Sequence, residues 1–182
     1  MKTVVVYYSR YGNSRVAAKL IARQLGAPVH NIEVKRQKGV FESTFSALFS
    51  RRPKIKSMLL NPQDWDLMVL VAPIWVGKPA TPVKTFLADT KVGDKRIAAF
   101  FSYTTTPPRD AAEWLKRVLA HFGAHLIAVG GYDTSVKNHT VLKQRVWEFL
   151  AQLPSEAIPA PSIRPAKSKR ENKKKTARKG KK

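Results

Sequence analysis

A short run of hydroxyl and amide side chains with one glycine lies between an apolar segment and an amphipathic one. It reads Ser9, Arg10, Tyr11, Gly12, Asn13 and Ser14. Such a loop at a helix N-terminus presents unpaired backbone N–H groups and the positive end of the helix dipole, which suits a phosphate. The loop has neither the lysine and spacing of a P-loop nor the GxGxxG pattern of dinucleotide sites. We therefore expect a phosphomonoester held by uncharged donors. The alternative is that Asn13 or Ser14 only caps the helix.

The sequence on either side of this loop predicts the two elements that position it. Residues 4–8 form an unbroken β-branched and aromatic run, as in a strand that is buried on both faces. From Ser14 onward apolar residues recur at three- and four-residue spacing, which indicates a helix that ends near Gly26 and Pro28. The loop should therefore lie at the carboxyl end of the first strand.

Strands and helices alternate along the rest of the chain. Residues 35–62 are expected to hold a helix and then a basic loop, residues 74–80 a loop, and Asp110 the cap of a later helix. This alternation predicts an α/β fold with a parallel sheet that is covered by helices on both faces. Further strands are expected at residues 29–34, 66–73, 97–102 and 124–129, and further helices near Pro82 and Val141.

Two more loops follow predicted strands at the edge where parallel sheets bind ligands. Trp75 offers a flat apolar face for stacking on a planar ring, and Gly77 would let the backbone approach that ring. The alternative is that Trp75 only covers the end of the sheet. The loop that begins at Ser102 could donate backbone N–H groups to a ring, or could be a simple turn. The two loops contain Pro73, Ile74, Trp75, Val76 and Gly77, and then Ser102, Tyr103 and Thr104.

The three loops, in this order and spacing, resemble those of the flavodoxin-like family. Residues 9–14 are similar to the family's phosphate loop, with Ser9, Asn13 and Ser14 at matching positions, and residues 72–77 are similar to its flavin loop. The resemblance covers roughly residues 1–152. It implies a three-layer α/β sandwich with a five-stranded parallel sheet of order 2-1-3-4-5. That order, with FMN at the switch point, is the known pattern of flavodoxin.

The resemblance also implies FMN as the cofactor and a role for each loop. Ser9, Gly12, Asn13 and Ser14 would hold the phosphate through hydroxyl, amide and backbone donors. Trp75 would pack against the isoalloxazine, with Gly77 near its N5 atom, while Tyr103 and Thr104 border the opposite side or the pyrimidine edge. No carboxylate or histidine recurs in these loops, so no catalytic acid–base residue is assigned.

Electron transfer between protein partners is the function that this resemblance favours. The alternative is an FMN-dependent NAD(P)H:quinone-type oxidoreductase or dehydrogenase that acts on a quinone-like small molecule. A third interpretation is a basic binding module without a cofactor. Reduction of bound flavin by NAD(P)H alone would separate the reductase from the carrier.

The composition limits the remaining classes of function. The chain has 182 residues and no cysteine, which excludes disulfides and thiolate-bound metals, and its four histidines lack metal-ligand spacing. No metal is therefore expected. Residues 1–153 are expected to form one domain. Neither a signal peptide nor a bilayer-spanning stretch is recognisable, so we expect a cytoplasmic protein.

Positive charge is unusually high in both the body and the C-terminal segment. Residues 164–182 contain eleven Lys or Arg and one Glu, a net of +10 that leaves +12 of the total +22 on the rest of the chain. Residues 154–182, Pro/Ala-rich and then Lys/Arg-rich, are expected to be a disordered tail. The tail should contact nucleic acid or an anionic membrane nonspecifically, or act only as a solubilising extension. The basic body would attract an acidic partner surface, nucleic acid or an anionic membrane, whereas electron-carrier flavodoxins are typically acidic.

Overall fold

The computed structural model describes residues 1–35, 53–58, 60–90 and 92–158. The helix predicted within residues 35–62 therefore falls mostly outside the described residues, as do residues 159–182 of the predicted tail. None of the described helices combines the length and the apolar composition that a membrane span requires.

A parallel sheet forms the centre of the molecule. Five strands pair in parallel in the order β2-β1-β3-β5-β6, and a two-residue strand, β4, pairs antiparallel with the end of β3. Without β4 this is the order 2-1-3-4-5, so the predicted sheet is confirmed. The strands are β1 (Thr3–Tyr7), β2 (Val29–Asn31), β3 (Leu67–Trp75), β4 (Lys78–Pro79), β5 (Arg96–Tyr103) and β6 (His125–Asp133).

Within the described residues, four helices cover the two faces of the sheet, and helices on both faces were predicted. Side chains alternate across each strand, so Val4 and Val6 of β1 face one helix layer while Val5 and Tyr7 face the other. The first layer contains α2 and α3, and the second contains α1 and α4. The helices are α1 (Asn13–Leu25), α2 (Thr81–Thr90), α3 (Pro108–His121) and α4 (His139–Leu150).

Two predicted strands differ in length from the observed ones. The strand predicted at residues 29–34 ends at Asn31, and Val34 instead forms an isolated bridge with Ile55. The strand predicted at 124–129 continues to Asp133 through Gly130 and Gly131. A Cβ atom on Gly131 would lie 2.7 Å from the carbonyl oxygen of Phe101, so the glycine permits close strand packing here rather than a turn.

Two predicted boundaries are wrong. Residues 74–80 are not a simple loop, because β3 continues through Trp75 and turns back as β4. Asp110 does not cap α3. The helix begins at Pro108 with Pro107 at the N-cap, which places Asp110 in the first turn, where its charge still suits the helix dipole.

The described body extends past the predicted boundary at residue 153. Ser155–Ala157 form a short 3-10 helix, and Ala157 is buried against the face that carries α1 and α4. The N-terminal ammonium of Met1 donates to the carbonyl of Glu156 over 3.5 Å. The chain therefore leaves the described body near the amino edge of the sheet, where β1 begins.

Candidate functional site

A cleft of about 90 Å³ opens at the carboxyl edge of the sheet, at the ends of β1, β3, β5 and β6. All three loops singled out in the sequence contribute to it. The described residues that line the cleft are Ser9, Arg10, Tyr11, Asn13, Ser14, Pro73, Ile74, Ser102, Tyr103, Thr104 and Thr134. The loops meet because the strands are parallel, so their carboxyl ends share one edge.

The first turn of α1 faces this cleft with its backbone donors uncapped. Gly12 is the N-cap residue, and its φ is 95°. No side chain at this position accepts a hydrogen bond from the first N–H groups of the helix. The alternative that Asn13 or Ser14 serves as the cap is therefore wrong. The N–H groups of residues 13–15 have no acceptor within the helix, because helical bonding starts with Val16 N–H donating to the Gly12 carbonyl. The first turn also contains no acidic side chain.

Ser9 shapes the loop from within. Its Oγ accepts a hydrogen bond from the Gly12 N–H at 3.1 Å, which folds the loop back over the end of β1. The side chain of Tyr11 is 74% exposed, and the guanidinium of Arg10 lies 5.4 Å from the centre of its ring. The loop is thus held by the hydrogen bond between Ser9 and Gly12, and it exposes the aromatic side chain of Tyr11.

Two buried hydroxyl groups join the first and third loops. Ser14 lies in the first turn of α1 and Ser102 near the end of β5, and their Oγ atoms are 2.7 Å apart. The two residues are 1% and 3% exposed, respectively. A hydroxyl pair has two protons and uses only one in the shared bond, so the second proton remains for another acceptor. Both residues line the cleft, and a ligand oxygen there could accept this proton.

Thr134 is a cleft residue that the sequence analysis missed. It follows β6, and its Oγ1 donates to the carbonyl of Tyr103 at 3.0 Å and lies 3.2 Å from Oγ1 of Thr104. The neighbouring Asp133 accepts from the hydroxyl and the backbone N–H of Ser135, which lowers the pKa of that carboxyl group. The only sequence signal was a hydroxyl residue after the last strand, and the strand had been expected to end earlier.

Trp75, Val76 and Gly77 are not among the described residues that line this cleft. The indole of Trp75 meets the ring of Tyr8 edge to face, with centroids 5.7 Å apart, and packs on the core beside α2 and α3. Its predicted role against a flavin ring stays a prediction. Val76 and Gly77 join β3 to β4 and have φ of 49° and 72°, as a type I′ turn requires. Val76 is 83% exposed.

A wider cleft of about 480 Å³ meets the first one at Ser9, between the ends of β1 and β2. Its wall includes the ion pair of Lys56 and Glu33, 2.6 Å apart, and this contact lowers the pKa of the Glu33 carboxyl group. Burial raises the pKa of Tyr8, which also lines this cleft, and keeps its phenol neutral. Within the described ranges, no group of three or more His, Asp or Glu side chains is placed to hold a metal ion.

Solved structures of similar shape confirm the architecture. A flavoprotein from Lactobacillus acidophilus NCFM, solved in complex with FMN, is 25% identical with a TM-score of 0.62, over 74% of this chain and 94% of that one. The two-electron reduced flavodoxin of Megasphaera elsdenii is 20% identical with a TM-score of 0.52, over 83% and 99% of the two chains. The chain has the flavodoxin-like fold.

The same fold is found in a further protein of low sequence identity. A flavodoxin, WrbA-like protein from Agrobacterium tumefaciens is 17% identical with a TM-score of 0.54, over 83% of this chain and 94% of that one. No protein-family model and no curated protein matches the chain. At these identities the flavodoxin-like fold is established by shape, and the chemistry must be argued from the cleft.

Proposed function

We propose that this protein is an FMN-binding redox protein that transfers electrons between protein partners. The observation that carries the proposal is the convergence of the three loops on one cleft with uncapped helix donors and a buried hydroxyl pair. When bound, FMN supplies a group that accepts and releases electrons. The protein residues would bind it, orient it and limit its contact with water.

The donor set of the cleft fits a phosphate monoester. The uncapped N–H groups of residues 13–15 and the positive end of α1 favour an anion. The Ser14 hydroxyl, oriented by Ser102, would add a further donor. Arg15 is exposed in the same turn and contributes positive potential without entering the cleft wall.

The size of the cleft limits what it would hold. Sites for drug-sized ligands have volumes of about 300–1,000 Å³, well above the 90 Å³ found here. The cleft would therefore hold the phosphate end of FMN. The ring would lie outside, between the 74–77 turn and Tyr103, where the family resemblance expects it. Trp75, Val76, Gly77 and Thr104 are the residues that this arrangement would bring near the ring.

Absorption and fluorescence titrations with FMN and riboflavin test the proposal. The full-length protein should bind FMN at least about tenfold more tightly than riboflavin, because hydrogen bonds to a charged group contribute about 1.5–3 kcal/mol each. Riboflavin is the matched control, since it lacks only the phosphate. Equal affinity for the two flavins would contradict the phosphate assignment. No flavin binding at all would favour the cofactor-free binding module.

Addition of NADPH to the FMN-loaded protein separates the two redox functions. A carrier between protein partners should be reduced slowly by NADPH alone. An ordinary enzyme with a kcat near 10 s⁻¹ completes one turnover in about 0.1 s. Bleaching of the flavin bands by NADPH on this time scale would instead support the NAD(P)H:quinone-type oxidoreductase.

A further inference from the structure

We infer that the carboxyl edge of the sheet is a docking surface for an acidic protein. Three exposed apolar side chains lie at this edge, each on a different loop: Tyr11 after β1, Val76 after β3 and Val136 after β6, with 74%, 83% and 47% exposure. Four exposed cations lie in these loops, in β4 or in the first turn of a helix that begins at this edge, and are called the basic rim: Arg15, Lys78, Arg109 and Lys137. The inference rests on the proposed function, because electrons would be exchanged at this edge.

Charge is distributed unevenly along the strand direction. Each of the four helices begins at the carboxyl edge, so the positive ends of their dipoles add to the basic rim. Acidic side chains are more frequent at the amino edge, where Asp64, Asp66, Asp94 and Glu156 are exposed. The carboxyl edge also carries Asp110, which is exposed in the first turn of α3 near Gly77. The two other described carboxylates there are Glu33, paired with Lys56, and Asp133, hydrogen-bonded by Ser135, so the four cations of the basic rim outnumber the acidic groups. The edge that carries the cleft therefore attracts anionic partners.

The turn at Val76 gives an independent reason to assign a contact role. A β-branched residue with φ of 49° is strained, and asparagine or glycine would adopt this conformation at lower cost. The valine side chain gains little from the core, because it is 83% exposed. Backbone strain of this kind clusters at functional sites. An apolar residue at this position is explained if a partner covers it.

The mixture of apolar and charged groups favours a protein over a nucleic acid. Protein interfaces have an apolar centre and a polar rim, which is the arrangement of Val76 and Val136 within the basic rim. Valine side chains cannot stack on bases. One face of the Tyr11 ring is occupied by the Arg10 guanidinium at 5.4 Å, which leaves less of it for stacking.

Matched charge reversals in the full-length, FMN-supplemented protein test the inference. The rim variant carries Lys78→Glu and Lys137→Glu, and the control carries Lys19→Glu and Lys116→Glu, two exposed lysines on the helix faces. Both variants keep the tail and change the net charge equally. The probe is an acidic [2Fe–2S] ferredoxin, with association measured by stopped flow. At low ionic strength the rim variant should associate about tenfold more slowly and the control less than about twofold.

Loss of an apolar contact gives a second measurement. Val136→Ser should increase the dissociation rate of the ferredoxin about fivefold and leave binding of a 20-base-pair DNA duplex unchanged. Equal slowing in the rim and control variants, or no ferredoxin binding by the unaltered protein, would overturn the inference. The inference would also be overturned if the rim variant bound the DNA duplex more weakly but associated with ferredoxin as the unaltered protein does. The surface would then bind nucleic acid. These binding measurements need no flavin chemistry, so failure to retain FMN would contradict the proposed function alone.

Discussion

The hydrogen bond between Ser14 and Ser102 makes a quantitative prediction. Each hydroxyl is nearly inaccessible to solvent, and the distance of 2.7 Å is that of a well-formed O–H···O bond. Removal of one partner leaves the other buried without it, which costs about 1–3 kcal/mol, whereas removal of both is nearly neutral apart from the small space left behind. Ser14→Ala and Ser102→Ala should therefore each lower the free energy of unfolding, and the double variant should lose less than their sum.

Urea denaturation of the four proteins in the cycle, without added flavin, measures this coupling. We expect a coupling free energy of about 1–2 kcal/mol with unchanged dependence on urea. Ser155→Ala is the matched control, because Ser155 is exposed at the opposite edge and should change the unfolding free energy by less than about 0.5 kcal/mol. Additive costs would refute the claim that the two hydroxyl groups form one buried unit.

Flavin binding distinguishes the roles of the two hydroxyl groups. If Ser14 donates to the phosphate, Ser14→Ala should weaken FMN binding by about tenfold or more, because a hydrogen bond to a charged group contributes about 1.5–3 kcal/mol. Ser102→Ala should weaken it less, since Ser102 would only orient the Ser14 proton. Riboflavin affinity should change little in both variants. An equal loss for riboflavin and FMN would show that the serines act on folding and not on the phosphate.

Three further predictions concern the turns and the last strand. Gly131→Ala should lower the free energy of unfolding by about 1–3 kcal/mol, measured in urea, because its Cβ would lie 2.7 Å from a backbone oxygen that cannot move alone. Val76→Asn should raise the melting temperature by about 2–4 °C, since asparagine relieves roughly 1 kcal/mol of strain; an unchanged melting temperature would argue against strain at φ of 49°. The pKa of Asp133 is lowered, so its contribution to stability is present above the ordinary value of 3.8 and is lost as the pH falls through its folded-state pKa. The Ser135 amide resonance should report that loss in an NMR pH titration, and Asp133→Asn should abolish the pH dependence.

Sequence reasoning placed the three loops at one edge of the sheet because that placement depends on the order of elements and not on packing detail. Apolar runs gave the strands, and parallel strands must bring their carboxyl-end loops together, so Ser9, Ser14 and Tyr103 were expected at one edge. The contact between Ser14 and Ser102 could not be predicted in this way. It depends on how α1 sits over the ends of β3 and β5, which is set by packing across the whole face.

The errors arose where glycine or proline has a packing role. The strand was expected to end before Gly130 and Gly131, yet both lie inside β6, where a Cβ at either position would meet an atom at 2.8 or 2.7 Å. The strand was therefore cut short, and Thr134 was missed as a cleft residue. Pro79 and Gly77 likewise indicated a loop where β3 and β4 form a hairpin. Local propensity cannot distinguish a glycine that turns the chain from one that lets two elements approach.

The N-cap of α1 shows how local stability and the proposed site are related. A Ser, Thr, Asp or Asn cap would accept from the first N–H groups of the helix and stabilise it by roughly a few tenths of a kcal/mol relative to glycine. Gly12 gives up this interaction, and its φ of 95° disfavours any residue that could supply it. The Ser9 hydroxyl is the nearest acceptor, but it takes the Gly12 N–H and leaves the donors of the first turn open. The N–H groups of the first turn, beside the buried Ser14 hydroxyl, are thus left to an acceptor outside the helix, which is the role that the proposed phosphate would take.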